Sequence, residues 1–80
     1  MFIEIIRPDS RYLADMESGT NIEVYGSSGK YSFCINCGKT GSLRSNQALD
    51  NVPFFEALAL YDRVKNSWVK GREVMTINNR

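Results

Sequence analysis

Asn51–Gly71, NVPFFEALALYDRVKNSWVKG, is the stretch whose reading decides the fold. Phe54, Ala57, Leu58, Tyr61, Val64 and Trp68 recur at three- and four-residue spacing and make one apolar stripe. Glu56, Arg63, Asn66, Ser67 and Lys70 lie roughly opposite it. Pro53 suits a first helical turn, where a missing N–H costs nothing. Asp50 or Asn51 just upstream can accept a bond from an orphan N–H of that turn. Glu56 sits near the positive end of the helix dipole, and Lys65 and Lys70 near the negative end. Gly71 can take the left-handed conformation that ends a helix. The spacing therefore predicts a helix over Pro53–Lys70, with Tyr61 and Trp68 largely buried. Burying each Phe, Leu or Val is worth about 1.5–3 kcal/mol. A lone helix cannot collect that, so the stripe reads as core and needs a sheet to face.

The segments around the helix supply strands. Lys30–Cys37 alternates, with Tyr31, Phe33, Ile35 and Cys37 on one face and Ser32, Cys34 and Asn36 on the solvent face. Its apolar face is the natural seat for the helix. Asn21–Tyr25 alternates too, with Ile22 and Val24 against Glu23 and Tyr25. Gly26-Ser27-Ser28-Gly29 then reads as a four-residue hairpin connection. Met1–Arg7 is apolar on both faces: Ile3 and Ile5 point one way, Phe2 and Ile6 the other, with Glu4 between. That pattern predicts an inner strand or one covered on both sides. Asp9–Thr20 reads as a loop with one helical turn at Tyr12, Leu13 and Met16. Gly38–Asn51 reads as a loop with a short extended piece at Ser42–Ser45. Glu73–Ile77 reads as a last strand, with Met75 and Ile77 on one side. The expected fold is α+β: one 80-residue domain, residues 1–80, with a small antiparallel sheet, one helix across one face, and the order β-β-β-α-β.

Composition narrows the function. There is no histidine, which removes Ser-His-Asp and Cys-His nucleophiles, imidazole proton shuttles and His-ligated zinc. No cofactor is expected and the chain reads as non-enzymatic. The formal charge of +1 argues against a strongly electrostatic nucleic-acid coat or a polybasic membrane binder, while leaving room for a local basic patch. No apolar run long enough to span a bilayer and no amino-terminal leader is visible, so a cytoplasmic protein is expected.

Cys34-Ile35-Asn36-Cys37-Gly38-Lys39 has the spacing of one zinc knuckle, which is half of a tetrahedral site. No further Cys or His is present, so metal would need a second chain or carboxylates such as Asp50. Residues three apart on a strand also point to opposite faces. No metal is expected. A redox pair normally opens a helix rather than ending a strand. Gly38-Lys39-Thr40 lacks the earlier glycine and the following helix of a P-loop.

The segment from Lys30 to Arg72 resembles the WGR domain, a small nucleic-acid-associated module of poly(ADP-ribose) polymerases that also occurs alone in bacteria. Tyr31–Asn36 is similar to its aromatic-rich strand and Cys37-Gly38-Lys39-Thr40-Gly41 to its Trp-Gly-Arg signature. Leu43-Arg44-Ser45 is similar to its polar stretch, Glu56-Ala57 to its helix start, and Lys65, Lys70 and Gly71 to its helix end. Cys37 stands where the family has Trp, Lys39 where it has Arg, and Arg72 where it has an aromatic. The resemblance implies weak nucleic-acid binding, with Lys39, Arg44, Arg63 and Lys70 on phosphates. The alternative is a small protein-binding inhibitor or adaptor, of phage or mobile-element type, acting through a surface patch or a sheet edge.

Overall fold

The computed structural model describes residues 1–37 and 45–79. It is an α+β domain, a six-stranded mixed sheet with one helix packed on it. The strands are β1 (Phe2–Arg7), β2 (Ser10–Asp15), β3 (Thr20–Ser27), β4 (Lys30–Cys37), β5 (Ser45–Val52) and β6 (Val74–Asn78), and α1 (Phe54–Trp68) precedes β6. Their spatial order is β5-β4-β3-β2-β1-β6. Every neighbouring pair is antiparallel except β1 and β6, which run parallel. Five strands precede the helix instead of three, and the sheet is mixed. The parallel pair follows from the crossover, since α1 carries the chain from one edge of the sheet to the other.

Two segments that read as loops contain strands. Ser10–Asp15 pairs with β1 on one side and β3 on the other. Leu13 is fully buried, while its neighbours Tyr12 and Ala14 point to the opposite face. Pairing on both sides overrides the weak helical spacing of Tyr12, Leu13 and Met16. The turn after it is closed by the Asp15 carboxylate, which accepts the Glu17 N–H at 3.0 Å. That bond holds the Asp15 carboxyl below its ordinary value, helped by Ser18 and the Arg72 guanidinium, with partial desolvation opposing. Ser45–Val52 is the second case. Its ladder with β4 shifts register twice, around Phe33, so bulges replace the alternation that marks a strand in sequence. Of the expected extended piece at Ser42–Ser45, residues 42–44 lie outside the described residues.

The β3–β4 connection is tighter than a four-residue loop. Ser28 and Gly29 both have positive φ, 52° and 78°, as a two-residue type I′ turn requires. Gly26 has φ 149°, and a Cβ there would lie 2.3 Å from the Lys30 carbonyl oxygen, so only glycine fits.

The helix begins one residue later than expected and ends two earlier. Pro53 is its extended N-cap, with φ −60° and ψ 153°, and no side chain caps it. Asp50 does not serve as the cap, because it accepts from Ser32 Oγ at 2.8 Å and from Gln47 Nε2 at 3.2 Å. Asn51 takes φ 57° instead. Gly71, at φ 69°, supplies the left-handed turn beyond the helix end. The last strand is shifted by one residue, to Val74–Asn78.

The stripe is the core. Ala57 and Tyr61 are fully buried against Phe2, Leu13, Ile22, Val24 and Phe33, and Phe54, Leu58, Val64 and Trp68 pack at the margin. Trp68 is therefore half-buried rather than largely buried. Ser32 and Cys34, expected in solvent, are 8% and 3% exposed. β4 is an inner strand, and Asp50 and Tyr25 close over these two small side chains.

Candidate functional site

The helix lies over β2, β3, β4 and β5, so it covers one face of the sheet, and no helix or strand among the described residues covers the other. Phe2 and Glu4 point to the helix side, at 1% and 2% exposure, and Ile3 and Ile5 therefore point to the open side. Register extends that assignment across neighbouring strands. Ile3 is level with Met75 and Ala14, and Ile5 with Ile77 and Tyr12. Two apolar rows thus run across β6, β1 and β2 on the open face. Met75 and Ile77 are 48% and 44% exposed. Toward β3 the face turns polar at Glu23, which is level with Tyr12 and Cys34. A shallow hollow of about 410 Å³ lies there, lined by Ile5, Arg7, Ser10, Tyr12, Glu23 and Tyr25, among others.

The apolar rows end at an edge. β6 has no strand beyond it among the described residues. Its sequence, VMTIN, has no charge, no proline and no bulge, the devices that normally blunt an edge.

On the helix side the notable polar group is Glu4. A buried carboxylate requires partners, and it has three. Tyr61 Oη donates to it at 2.8 Å, Lys65 Nζ at 2.8 Å and Thr76 Oγ1 at 3.4 Å. Tyr61 and Lys65 are one helical turn apart and reach the same strand. Burial and the adjacent carboxylate push the Tyr61 phenol far above its ordinary value. The cluster ties α1, β1 and β6 together. A single carboxylate in the apolar run MFIEIIR was its visible sign. Its two helix partners could be recognised only once the strand order was known.

The expected basic residues divide. Arg63 and Lys70 are both exposed, and neither has an ion pair among the described residues. Lys39 and Arg44 lie outside the described residues, which leave out residues 38–44 of the expected Gly38–Asn51 loop. Arg72, where the WGR family has an aromatic, lies over the Phe2 ring at 4.9 Å and within 3.9 Å of the Asp15 and Glu17 carboxylates. Of the knuckle cysteines, Cys34 is buried and shares a 3.3 Å hydrogen bond with Tyr25 Oη. That bond and partial desolvation raise the Tyr25 phenol. The side chain of Cys37 is outside the description. Among the described residues no group of three or more acidic, cysteine or histidine side chains could hold a metal ion. No described helix is long and apolar enough to cross a membrane.

Compared with known proteins, the chain matches no family model, no curated protein and no solved structure.

Proposed function

We propose that the chain is a small, non-enzymatic protein-binding module that engages its partner through the open sheet face and the β6 edge. The observation that carries this is the pair of apolar rows, Met75-Ile3-Ala14 and Ile77-Ile5-Tyr12, which end in the exposed Met75 and Ile77 on an edge strand with none beyond it among the described residues. Exposed apolar surface of this kind marks interaction sites, and an open edge accepts a partner strand through main-chain hydrogen bonds. The inhibitor or adaptor class suits such a surface, because it works by occupying a partner and needs no reactive group. The buried carboxylate Glu4 supports a non-enzymatic role, since its oxygens are already engaged by Tyr61, Lys65 and Thr76.

The test is affinity capture from the native source with the wild-type chain and with M75K/I77K, each with and without nuclease. The expected result is a captured protein that survives nuclease and is lost with the double variant. A partner retained equally by both would overturn the assignment.

A WGR-like nucleic-acid role is the second proposal. It is favoured by Arg63 on the helix and Lys70 two residues beyond its end, both exposed and without an ion pair among the described residues. Lys39 and Arg44 would add to them. Phosphate contacts give affinity that falls with salt, at a slope of about −0.9 per neutralised phosphate on duplex DNA. Titration of labelled DNA and RNA at two salt concentrations, with R63A/K70A beside the wild type, checks it. Weak, sequence-insensitive binding whose slope flattens in the variant is the expected signature. No binding at low salt would remove this role and leave the protein-binding one.

A further inference from the structure

The hydrogen bonds of β6 to β1 set which of its backbone groups an edge partner can reach. The Phe2 N–H donates to the Glu73 carbonyl at 2.9 Å, and the Asn79 N–H donates to the Ile6 carbonyl at 2.7 Å. In a parallel ladder these bonds belong to alternate residues. Glu73, Met75, Ile77 and Asn79 therefore turn their amide groups toward β1. Val74, Thr76 and Asn78 turn theirs outward, to an edge with no strand beyond it among the described residues.

That outward pattern is complementary to itself. With a second copy running antiparallel about a two-fold axis at Thr76, Thr76 exchanges both backbone bonds with its own counterpart. Val74 does the same with Asn78 of the second copy. Met75 then faces Ile77 of the second copy on the open side, where the two are 48% and 44% exposed. Glu73, next to the strand, comes level with Asn79 of the second copy, so no like charges oppose. A two-fold contact brings the same patch together from both chains. It also joins the apolar rows of the two open faces into one surface.

The opposite edge offers no such match. β5 carries two register shifts against β4, a left-handed Asn51 at φ 57° and the charged Asp50. Bulges and charges of that kind turn an edge away from pairing.

We infer that the chain forms a symmetric dimer by antiparallel β6–β6 pairing centred on Thr76, which gives a continuous twelve-stranded sheet. This deepens the protein-binding reading by naming a second copy as an occupant of the edge. The paired strands are short, so the dimer dissociates on the order of 10–100 µM.

Sedimentation of the chain from about 1 µM to about 1 mM tests it with three proteins. The wild type shifts from monomer to dimer over that range. M75K/I77K sets lysine against lysine across the axis and weakens association at least about tenfold. M75K/I77E sets lysine against glutamate and restores it, which a merely greasy contact would not do. Both positions are exposed, and circular dichroism confirms that the variants fold. A wild type that stays monomeric to the top of the range overturns the dimer. So does M75K/I77K associating like wild type, or M75K/I77E associating no better than M75K/I77K. None of these outcomes touches capture of a different protein by the same edge, which the affinity experiment reads separately.

Discussion

The two faces of this sheet have opposite characters. Under the helix, Phe2, Leu13, Ile22, Val24, Phe33 and Tyr61 are buried to within 1%, and even the carboxylate of Glu4 is enclosed and satisfied. On the other face Met75, Ile77 and Tyr25 remain more than 40% exposed. Stability is concentrated on the first face, where these side chains are fully buried. The second holds apolar surface that folding alone does not use, and such surface is available for binding.

The largest effect that would break this contrast is in the covered core. Tyr61→Ala is expected to cost about 3–5 kcal/mol, as emptying an aromatic core site does. It also leaves Glu4 short of a donor. Trp68→Ala, at the half-buried margin, is expected to cost less than Tyr61→Ala, about 1–3 kcal/mol. Chemical denaturation ranks the two. The reverse order would move the centre of the core to the helix end.

A smaller change sharpens the same comparison. Tyr61→Phe keeps the ring and removes the hydroxyl that Glu4 accepts, at about 1–3 kcal/mol. It also alters the alkaline limb. The folded phenol is raised above its unfolded value, so its contribution is fully present below about pH 10 and is lost as pH rises beyond that. Wild-type stability should therefore fall through that range, and the Phe variant should fall less. Equal slopes in urea titrations at several alkaline pH values would mean that Tyr61 is not the group responsible.

The smallest stability effect belongs to the open face. M75K/I77K should stay within about 0.5 kcal/mol of wild type, as exposed positions do, while losing association. A large loss of stability would mean that this face is part of the core.

How much of this is legible in the sequence depends on whether the signal is local. The helix was legible because its stripe repeats every three to four residues and Gly71 marks its end. β3 and β4 were legible because they alternate. β5 was not, because its bulges break the alternation in SNQALDNV. β2 was not, because RYLADM also fits one turn of helix, and only pairing on both sides decides between the two. The candidate surface was half legible. Alternation puts Met75 and Ile77 on one side of their strand, and Ile3 and Ile5 on one side of theirs. Nothing local says that the first and last strands are neighbours, and the rows exist only through that long-range parallel pairing. The stripe puts Arg63 and Lys70 on the exposed side, where they are, but it carries no depth and so places Trp68 deeper than its half-buried position.

Residue-resolved amide hydrogen exchange along β6 tests the central claim most directly, because it reads the edge one N–H at a time. In dilute protein, Val74, Thr76 and Asn78 should exchange fast while Met75, Ile77 and Asn79 are protected by β1. At high concentration, or with a captured partner added, the three outward amides should slow by about tenfold or more. If they remain fast while the slowing falls on the helix around Arg63 and beyond it at Lys70, the binding surface is on the helix side and the account is wrong.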